Sequence, residues 1–394
     1  MSRVLIIADD LTGACDTGVA FAGAGVETVV TIRGGDGAAA PGAADVLVID
    51  TESRHSEPAE AAARVRDAAR RGLEAGVEFF YKKTDSTLRG NIGAELESLM
   101  SALSAARLAF IPAFPATGRT TRGGRLYVNG VPLGETAFAD DPRAPVRESD
   151  VAAIIRRQTK LPVTVISPRE PDARASFAAT DRGIVVFDCE DDSDARRIAA
   201  LLTAENALGL TAGSGGFASG LASCIDLPRT AVRRGAYDGP LLVVCGSAHP
   251  ASQAQVDFAL RRGFREIAPP PERAREARLV REAARRGAQG ANVVIRAAHG
   301  AVGGRVAAEL ARFAAHCLRR GPFGACVVFG GDTAREVMLA VGAGAIRPRF
   351  EIVPGIVLSE CAALLRRFAL VTKAGGFGDK DVLVRIADVF TASA

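Results

Sequence analysis

The chain has 394 residues, 48% of them hydrophobic, and a formal net charge of +4. That length supports roughly two domains with proper cores, the charge is too slight for a nucleic-acid footprint, and no apolar run approaches the ~18 residues of a membrane span. The seven cysteines (Cys15, Cys189, Cys224, Cys245, Cys317, Cys326 and Cys361) are scattered and form no Cys-x-x-Cys pair. With Met1-Ser2-Arg3 leading straight into a strand and leaving no room for a signal peptide, they predict a reduced, cytoplasmic protein without disulfides or a zinc site.

In chain order, Val4 to Ala8 is a short apolar run that reads as a buried strand, closed by Asp9 and Asp10. Thr12-Gly13 then opens a small-residue helix over Ala14 to Ala22. Carboxylates at the end of a first parallel strand stand where open α/β sheets bind ligands, although Asp10 or Thr12 could equally cap the helix. Val26 to Ile32 is a second strand, Gly34 to Gly42 a loop, and Val46 to Ile49 a third strand ending in Asp50-Thr51-Glu52-Ser53-Arg54-His55. Pro58 opens a helix to Ala75. Val77 to Tyr81 is a strand that runs into Lys82-Lys83-Thr84-Asp85-Ser86, and a helix over Ile92 to Ala105 leads to a strand at Leu108 to Ile111. From Thr117 to Asp141 periodicity vanishes, which predicts a long functional loop containing a hairpin. A helix at Val151 to Gln158 and strands at Val163 to Ile166 and Ile184 to Phe187 follow, then a glycine turn at Thr211 to Phe217 before a small-residue helix.

Leu227 to Pro240 carries charge and proline without period, which puts a domain boundary near residue 234. The second half restarts with a strand at Leu241 to Cys245, then Gly246-Ser247-Ala248-His249 and a helix. Pro269 to Arg275 reads as a solvated loop, Val293 to Arg296 as a strand, Val302 to Arg319 as a helix, and Cys326 to Phe329 as a strand feeding Gly330-Gly331-Asp332-Thr333. Strands at Phe350 to Val353 and Leu370 to Thr372 complete it, the latter followed by Lys373-Ala374-Gly375-Gly376-Phe377-Gly378-Asp379-Lys380. Alternating strands and helices predict two α/β domains, residues 1–234 and 235–394, with parallel-rich sheets flanked by helices and an active site in the cleft between them. No internal repeat is visible.

The two halves advertise different chemistry. Strand ends in the first carry charge, suited to a small polyhydroxy acid, with Arg54 and lysines facing a carboxylate and aspartates facing hydroxyls. Strand ends in the second carry glycine beside hydroxyl, acid or lysine, which lets the backbone approach a phosphate at a helix N-terminus. Gly331 is expected to need open space and a positive φ for this. Only five of the 49 basic residues are lysine (Lys82, Lys83, Lys160, Lys373 and Lys380), so a lysine here marks a place that arginine does not suit. There is no Gly-x-x-x-x-Gly-Lys-Ser/Thr. Gly213-x-Gly215-x-x-Ala218 fits a loose dinucleotide fingerprint but follows no clear apolar strand, which disfavours a nicotinamide-dependent dehydrogenase. The four histidines do not cluster as metal ligands; His316 reads as structural, while His55 and His249 stand at strand ends.

The segments Ile7-Ala8-Asp9-Asp10-Leu11-Thr12-Gly13-Ala14, Lys83-Thr84-Asp85-Ser86-Thr87, Gly90-Asn91-Ile92-Gly93, Gly330-Gly331-Asp332-Thr333 and Lys373 through Asp379 resemble the four-carbon acid sugar kinase family, in order and over nearly the whole chain. Within it, Asp50 to His55 and Lys82 to Ser86 look most like the members acting on D-threonate. The resemblance implies a sugar-acid domain followed by an ATP domain, and phosphorylation of the terminal O4 hydroxyl. Implied acid contacts are Asp9, Asp10, Arg54, Lys82, Lys83, Thr84, Asp85 and Ser86; implied ATP contacts are Ser247, Gly330, Gly331, Asp332, Thr333 and Gly375. His249 stands where some relatives are expected to carry a hydroxyl residue.

Phosphoryl transfer needs a phosphate cradle, Mg²⁺ and a group to take the hydroxyl proton. Asp85 is the expected base and Asp10 the group that orients the hydroxyls, with the reverse left open; Lys83 is expected to reach the carboxylate or the moving phosphoryl group. The metal ligands, the stereochemistry and oxidation state of the acid (D-erythronate, L-threonate and 3-oxo-tetronates being alternatives) and the oligomeric state, a homodimer among the options, stay open. A non-catalytic sensor of sugar acid and nucleotide would use the same loops.

Overall fold

The computed structural model describes residues 2–32, 44–141, 143–231, 239–269, 273–297, 303–363, 366–374 and 376–391. Gly375 and the loop expected over Gly34 to Gly42 lie outside the described residues. The chain forms two compact units, Met1–Ala231 and Val232–Ala394.

The first unit runs β1 (Val4–Ala8), α1 (Leu11–Gly23), β2 (Thr28–Thr31), β3 (Val46–Asp50), α2 (Pro58–Glu74), β4 (Phe79–Lys83), α3 (Ile92–Ala102) and β5 (Arg107–Ile111). It continues with β6 (Arg119–Arg122), β7 (Arg125–Val128), β8 (Val131–Pro132), α4 (Val151–Arg156), β9 (Val163–Ile166), α5 (Ala173–Ala178), β10 (Gly183–Phe187), α6 (Asp192–Ala204), β11 (Leu210–Gly213) and α7 (Gly215–Cys224). The main strands lie in the order β2-β3-β1-β4-β11-β5-β10-β9, with parallel ladders. Every residue of β1 is buried, as expected of a strand covered on both faces. On one face Leu5, Ile7, Leu47, Ile49 and Phe80 pack against Val65 and Ala68 of α2 and Leu96 and Leu99 of α3. α1, rich in glycine and alanine, packs beside α7.

Register makes the strand ends flush. Ala8 pairs with both Asp50 and Lys83, and Gly213 pairs with both Lys83 and Ile111. The chain leaves β1 towards β2 on one side and leaves β4 towards β5 on the other. Adjacent strands whose connections diverge open a crevice beyond their carboxyl ends, the usual ligand position of such sheets.

The aperiodic stretch after β5 contains the expected hairpin and more, because β6, β7 and β8 form a small antiparallel sheet. Its turns are Gly123-Gly124 (φ 57 and 72) and Asn129-Gly130 (φ 52 and 81), pairs of left-handed residues that match hairpin twist. Asp188 fastens the first turn by accepting from the N–H groups of Gly123 and Gly124 at 2.7 and 3.0 Å.

The second unit runs β12 (Leu241–Cys245), α8 (Pro250–Arg261), β13 (Arg265–Glu266), α9 (Arg273–Ala288), β14 (Val293–Arg296), α10 (Gly304–Arg320), β15 (Ala325–Phe329), α11 (Gly331–Val341), β16 (Ala345–Val353), β17 (Ile356–Ala363), β18 (Arg366–Lys373) and α12 (Val382–Thr391). Its order is β13-β14-β12-β15-β18-β17-β16, parallel as far as β18, with β18-β17-β16 antiparallel. The sequence reading of this half omitted β13, α9, β17 and α12. Leu241, Val243, Val327, Leu358 and Val371 form the core with Ile386 of α12. His316 bonds Glu276 through Nδ1 at 2.5 Å, tying α10 to α9, which agrees with its structural reading. No described helix is long and apolar enough to cross a membrane.

Candidate functional site

The β1/β4 crevice of the first unit gathers most of the expected side chains. Arg54, carried on the loop after β3, donates to both oxygens of Asp9 (2.8 and 2.9 Å) and to Asp10 Oδ2 (2.5 Å). Asp10 also caps α1, accepting from Gly13 N at 2.8 Å and from Thr12 Oγ1 at 2.7 Å. Asp10 thus caps the helix and at the same time pairs with Arg54 in the crevice. Burial pushes the Asp10 carboxyl up, but the charges of Arg54 and Lys83 outweigh it and leave it below its ordinary value.

Lys83 ends β4 and is buried, its Nζ donating to Thr84 O at 2.8 Å. A Cβ on Gly13 would stand 2.7 Å from both that Nζ and Asp10 Oδ1. Glycine at 13 thus lets the ammonium lie against the first turn of α1. Asp85 accepts a fork from Arg89 (2.8 and 3.0 Å) and a hydrogen bond from Thr87 Oγ1 (2.5 Å), with Arg54 Nη2 3.8 Å away. Its burial is outweighed by Arg89 and Arg54, which hold the carboxyl well below the usual range. Thr84 and Ser86 are buried in the same turn. Leu88, at φ 59, is a left-handed non-glycine residue inside it, strain of the kind that collects at functional sites.

Lys82 behaves differently. Successive strand residues face opposite sides, so it points away from Lys83 and is fully buried, with Nζ 3.0 Å from Glu95 Oε2. Ser53 Oγ donates to the same carboxylate. Lys82, expected to touch substrate, instead braces the Arg54 loop from behind. The Gly90–Gly93 motif also serves that loop: Asn91 Nδ2 donates to Ser53 O and Ser56 O at 3.0 and 2.9 Å.

Sequence reasoning missed Arg89, Arg119 and Asp141. Arg89 Nη1 reaches Asp141 at 3.2 Å. Arg119 of β6 is buried, and desolvation, with Arg89 adding to it and Asp85 opposing, lowers its pKa. An arginine on an irregular loop in an arginine-rich chain carries no sequence mark. His55 is exposed on its surface, yet desolvation and the charges of Arg143, Arg54 and Arg89 hold its imidazole down to about 4, so it is neutral at pH 7. The dinucleotide-like Gly213–Ala218 does follow a strand, β11, but its glycines pack on Asp16 of α1 and on Ala113 and Phe114.

In the second unit β12 and β15 are the diverging neighbours, and their turns adjoin. Ser247 Oγ accepts from His249 N at 3.3 Å and from Ser252 Oγ at 3.1 Å. His249 caps α8 through Nδ1, which accepts from Ala251 N at 3.2 Å. That is the work a hydroxyl residue would do there. Gly330 N donates to Lys373 O at 2.9 Å, and the expected positive φ falls on Gly330 (101) rather than on Gly331, which opens α11. A Cβ on Gly330 would lie 3.7 Å from Thr333 Oγ1 and 3.8 Å from Ser247 Cβ, so backbone conformation, not crowding, requires glycine. Asp332 stands in the first turn of α11 and Thr333 is buried against the turn. Two helix N-termini, a hydroxyl and the Lys373 ammonium offer donors of the kind an anion needs. Among the described residues no group of three histidine, cysteine, aspartate or glutamate side chains could hold a metal.

Models of two protein families match, a sugar-binding N-terminal domain over residues 4–221 and a nucleotide-binding C-terminal domain over residues 242–383. A D-threonate kinase of Bordetella bronchiseptica is 36% identical over 97% of this chain and 96% of that one. A 3-oxo-tetronate kinase of Methylobacterium radiotolerans is 30% identical over 97% of this chain and 98% of its own. A D-erythronate kinase of Heliobacterium modesticaldum is 37% identical over 65% of this chain and 60% of its own. Among solved structures, a Salmonella typhimurium LT2 protein shares the fold, with a TM-score of 0.78 at 24% identity over 99% of this chain and 100% of that one. A Bordetella bronchiseptica protein solved with bound citrate as a domain-swapped dimer aligns with a TM-score of 0.52 at 33% identity, over 98% of each chain.

Proposed function

The chain belongs to the four-carbon acid sugar kinase family, and from that premise we propose that it transfers phosphate from ATP to the O4 hydroxyl of D-threonate. Kinase activity on a four-carbon sugar acid follows from the family; the particular acid and position are our reading. The observation that carries it is the crevice in which Arg54, Lys83 and Arg89 are interleaved with Asp9, Asp10 and Asp85. Such a mixture suits a ligand that brings both a carboxylate and hydroxyls. Three D-threonate kinases, 36%, 32% and 35% identical over at least 97% of this chain, support the choice of acid over the 3-oxo-tetronate alternative at 30–31%.

In this reading Lys83 neutralises the acid or the moving phosphoryl group, Asp10 orients a hydroxyl and Asp85 takes its proton. Both carboxyls lie below their ordinary values, so neither is a strong base. A weak acceptor suffices, because phosphoryl transfer passes through a loose transition state in which positioning and charge dominate. ATP would lie on the turns of Ser247 and Gly330–Thr333. Mg²⁺ is usually held by one or two carboxylates together with substrate phosphates; Asp332, in the first turn of α11, would be the carboxylate to hold it, and the ion would supply neutralisation of phosphate charge.

An ADP-release screen with D- and L-threonate, D- and L-erythronate and their 3-oxo forms tests this. D-threonate is expected to give the highest kcat/KM. Activity on erythronate alone would overturn the choice of acid while leaving the kinase class, and no ADP release with any of them would favour the sensor.

A further inference from the structure

Asp85 does not offer its two carboxylate oxygens equally. Oδ2 accepts from Arg89 Nε at 2.8 Å and Thr87 Oγ1 at 2.5 Å, with the N–H groups of Thr87 and Arg89 both at 3.3 Å. A carboxylate oxygen has about two lone pairs to share, so this one is filled. Oδ1 accepts from Arg89 Nη2 at 3.0 Å and lies 3.8 Å from Arg54 Nη2. It therefore keeps acceptor capacity on the side of Arg54, whose guanidinium also holds Asp9 and Asp10. Arg89 is itself held at its other end. Its Nη1 donates to Asp141 at 3.2 Å, and its guanidinium carbon stands 5.6 Å from the centroid of the Phe138 ring. Asp141 accepts in turn from the N–H groups of Arg143 and Ala144, both at 3.0 Å. A planar guanidinium that meets a carboxylate with two parallel bonds fixes the plane of that carboxylate, which a lysine ammonium does not.

We propose that Arg89 is a positioning residue for phosphoryl transfer: its fork turns Asp85 Oδ1 towards the hydroxyl of the acid, and Asp141 holds the fork in place. This rests on the reading of Asp85 as the base. The hydroxyl O–H bond breaks as its oxygen bonds the γ-phosphorus of ATP and the bond from that phosphorus to ADP breaks; the proton passes to Oδ1. Arg89 exchanges nothing in this step and acts through the angle at which Asp85 is held. It also acts through its charge. Burial pushes the Asp85 carboxyl up, and Arg89 leads the charges that bring it down, ahead of Arg54; Arg119 on β6 interacts with the same carboxylate. Without Arg89 the carboxyl should rise, and a base that must be ionised to work then fails at a higher pH.

Steady-state kinetics across pH test this, paired with thermal melts, using the fastest acid of the ADP-release screen, D-threonate by expectation. Arg89→Lys keeps the charge and loses the fork. It should lower kcat ~10²-fold, with KM for the acid little changed and a melting temperature near that of the parent. Arg89→Met should in addition move the acid limb of the kcat profile to higher pH. Asp141→Asn should give a smaller loss of kcat with KM again little changed. Near-normal kcat in Arg89→Lys overturns the proposal, and so does a raised KM at unchanged kcat, which would make Arg89 a contact of the acid. A kcat loss in Arg89→Met that tracks a lowered melting temperature and leaves the acid limb unmoved overturns it as well. Near-normal turnover in Asp85→Asn would instead remove the base assignment itself.

Discussion

The two units repeat one plan with opposite contents. In each, the first strand has its third strand on one side and its fourth on the other, in the orders β2-β3-β1-β4 and β13-β14-β12-β15. In each, the crevice opens beyond the first and fourth strands. The first unit fills it with long charged side chains locked in pairs; the second leaves glycine there, beside backbone N–H groups and one buried lysine. Shared topology thus fixes where a ligand lies, and the residues that close two strands decide what it is. The sequence shows no repeat because that topology constrains only apolar character and turn placement.

The largest expected effect is in the charged unit. Lys82→Met leaves Glu95 buried without its cation and should destabilise the protein by ~3–5 kcal/mol in denaturant titration. Lys82→Met combined with Glu95→Met should recover most of that. If Lys82→Met instead melts normally and loses only affinity for the acid, Lys82 is a substrate contact after all. Next comes Lys83→Arg, which should lower turnover ~10²-fold and, because the site is buried against Gly13, also lower the melting temperature. Near-normal kinetics would show that any cation suffices at this strand end.

In the glycine unit, Gly330→Ala should cost ~1–2 kcal/mol from its left-handed backbone and weaken ADP while sparing sugar-acid affinity. An unchanged ADP titration would make the turn merely structural. The smallest effect concerns His249. Alanine there should cost ~1 kcal/mol through loss of the cap and serine almost nothing, read by thermal melts; a large kinetic defect in His249→Ser would place the imidazole in the chemistry.

What was legible follows from the same comparison. Parallel strands buried on both faces read as apolar runs, so their ends, Asp9-Asp10, Asp50–Arg54, Lys82–Asp85, Ser247 and Gly330, were visible. The pleat guaranteed that Lys82 and Lys83 face opposite ways, but only α3 and Glu95 decide which one faces the crevice. The forks of Arg54 and Arg89 are tertiary pairings between segments distant in the chain or folded by a strained turn, and no local pattern reports them. The β16–β18 meander was partly missed because Arg347, Pro348 and Arg349 break the apolar run of β16, although Pro354-Gly355, with Gly355 at φ 75, marked the turn into β17.

The contact of Lys83 with Gly13 has a further consequence. An ammonium against the first turn of a helix sits at the positive end of its dipole, which is unfavourable by itself. The Asp10 carboxylate, which caps the same turn and is held low by Arg54 and Lys83, offsets both potentials, so the crevice presents paired charges to solvent. Encounter with a small acid should therefore depend little on salt, whereas a Cβ at position 13, which would push the ammonium and the carboxylate apart, should expose a charge whose pull is screened over ~10 Å at 0.1 M. Ionic strength, a variable that leaves every covalent bond alone, becomes a probe of a single missing methyl group.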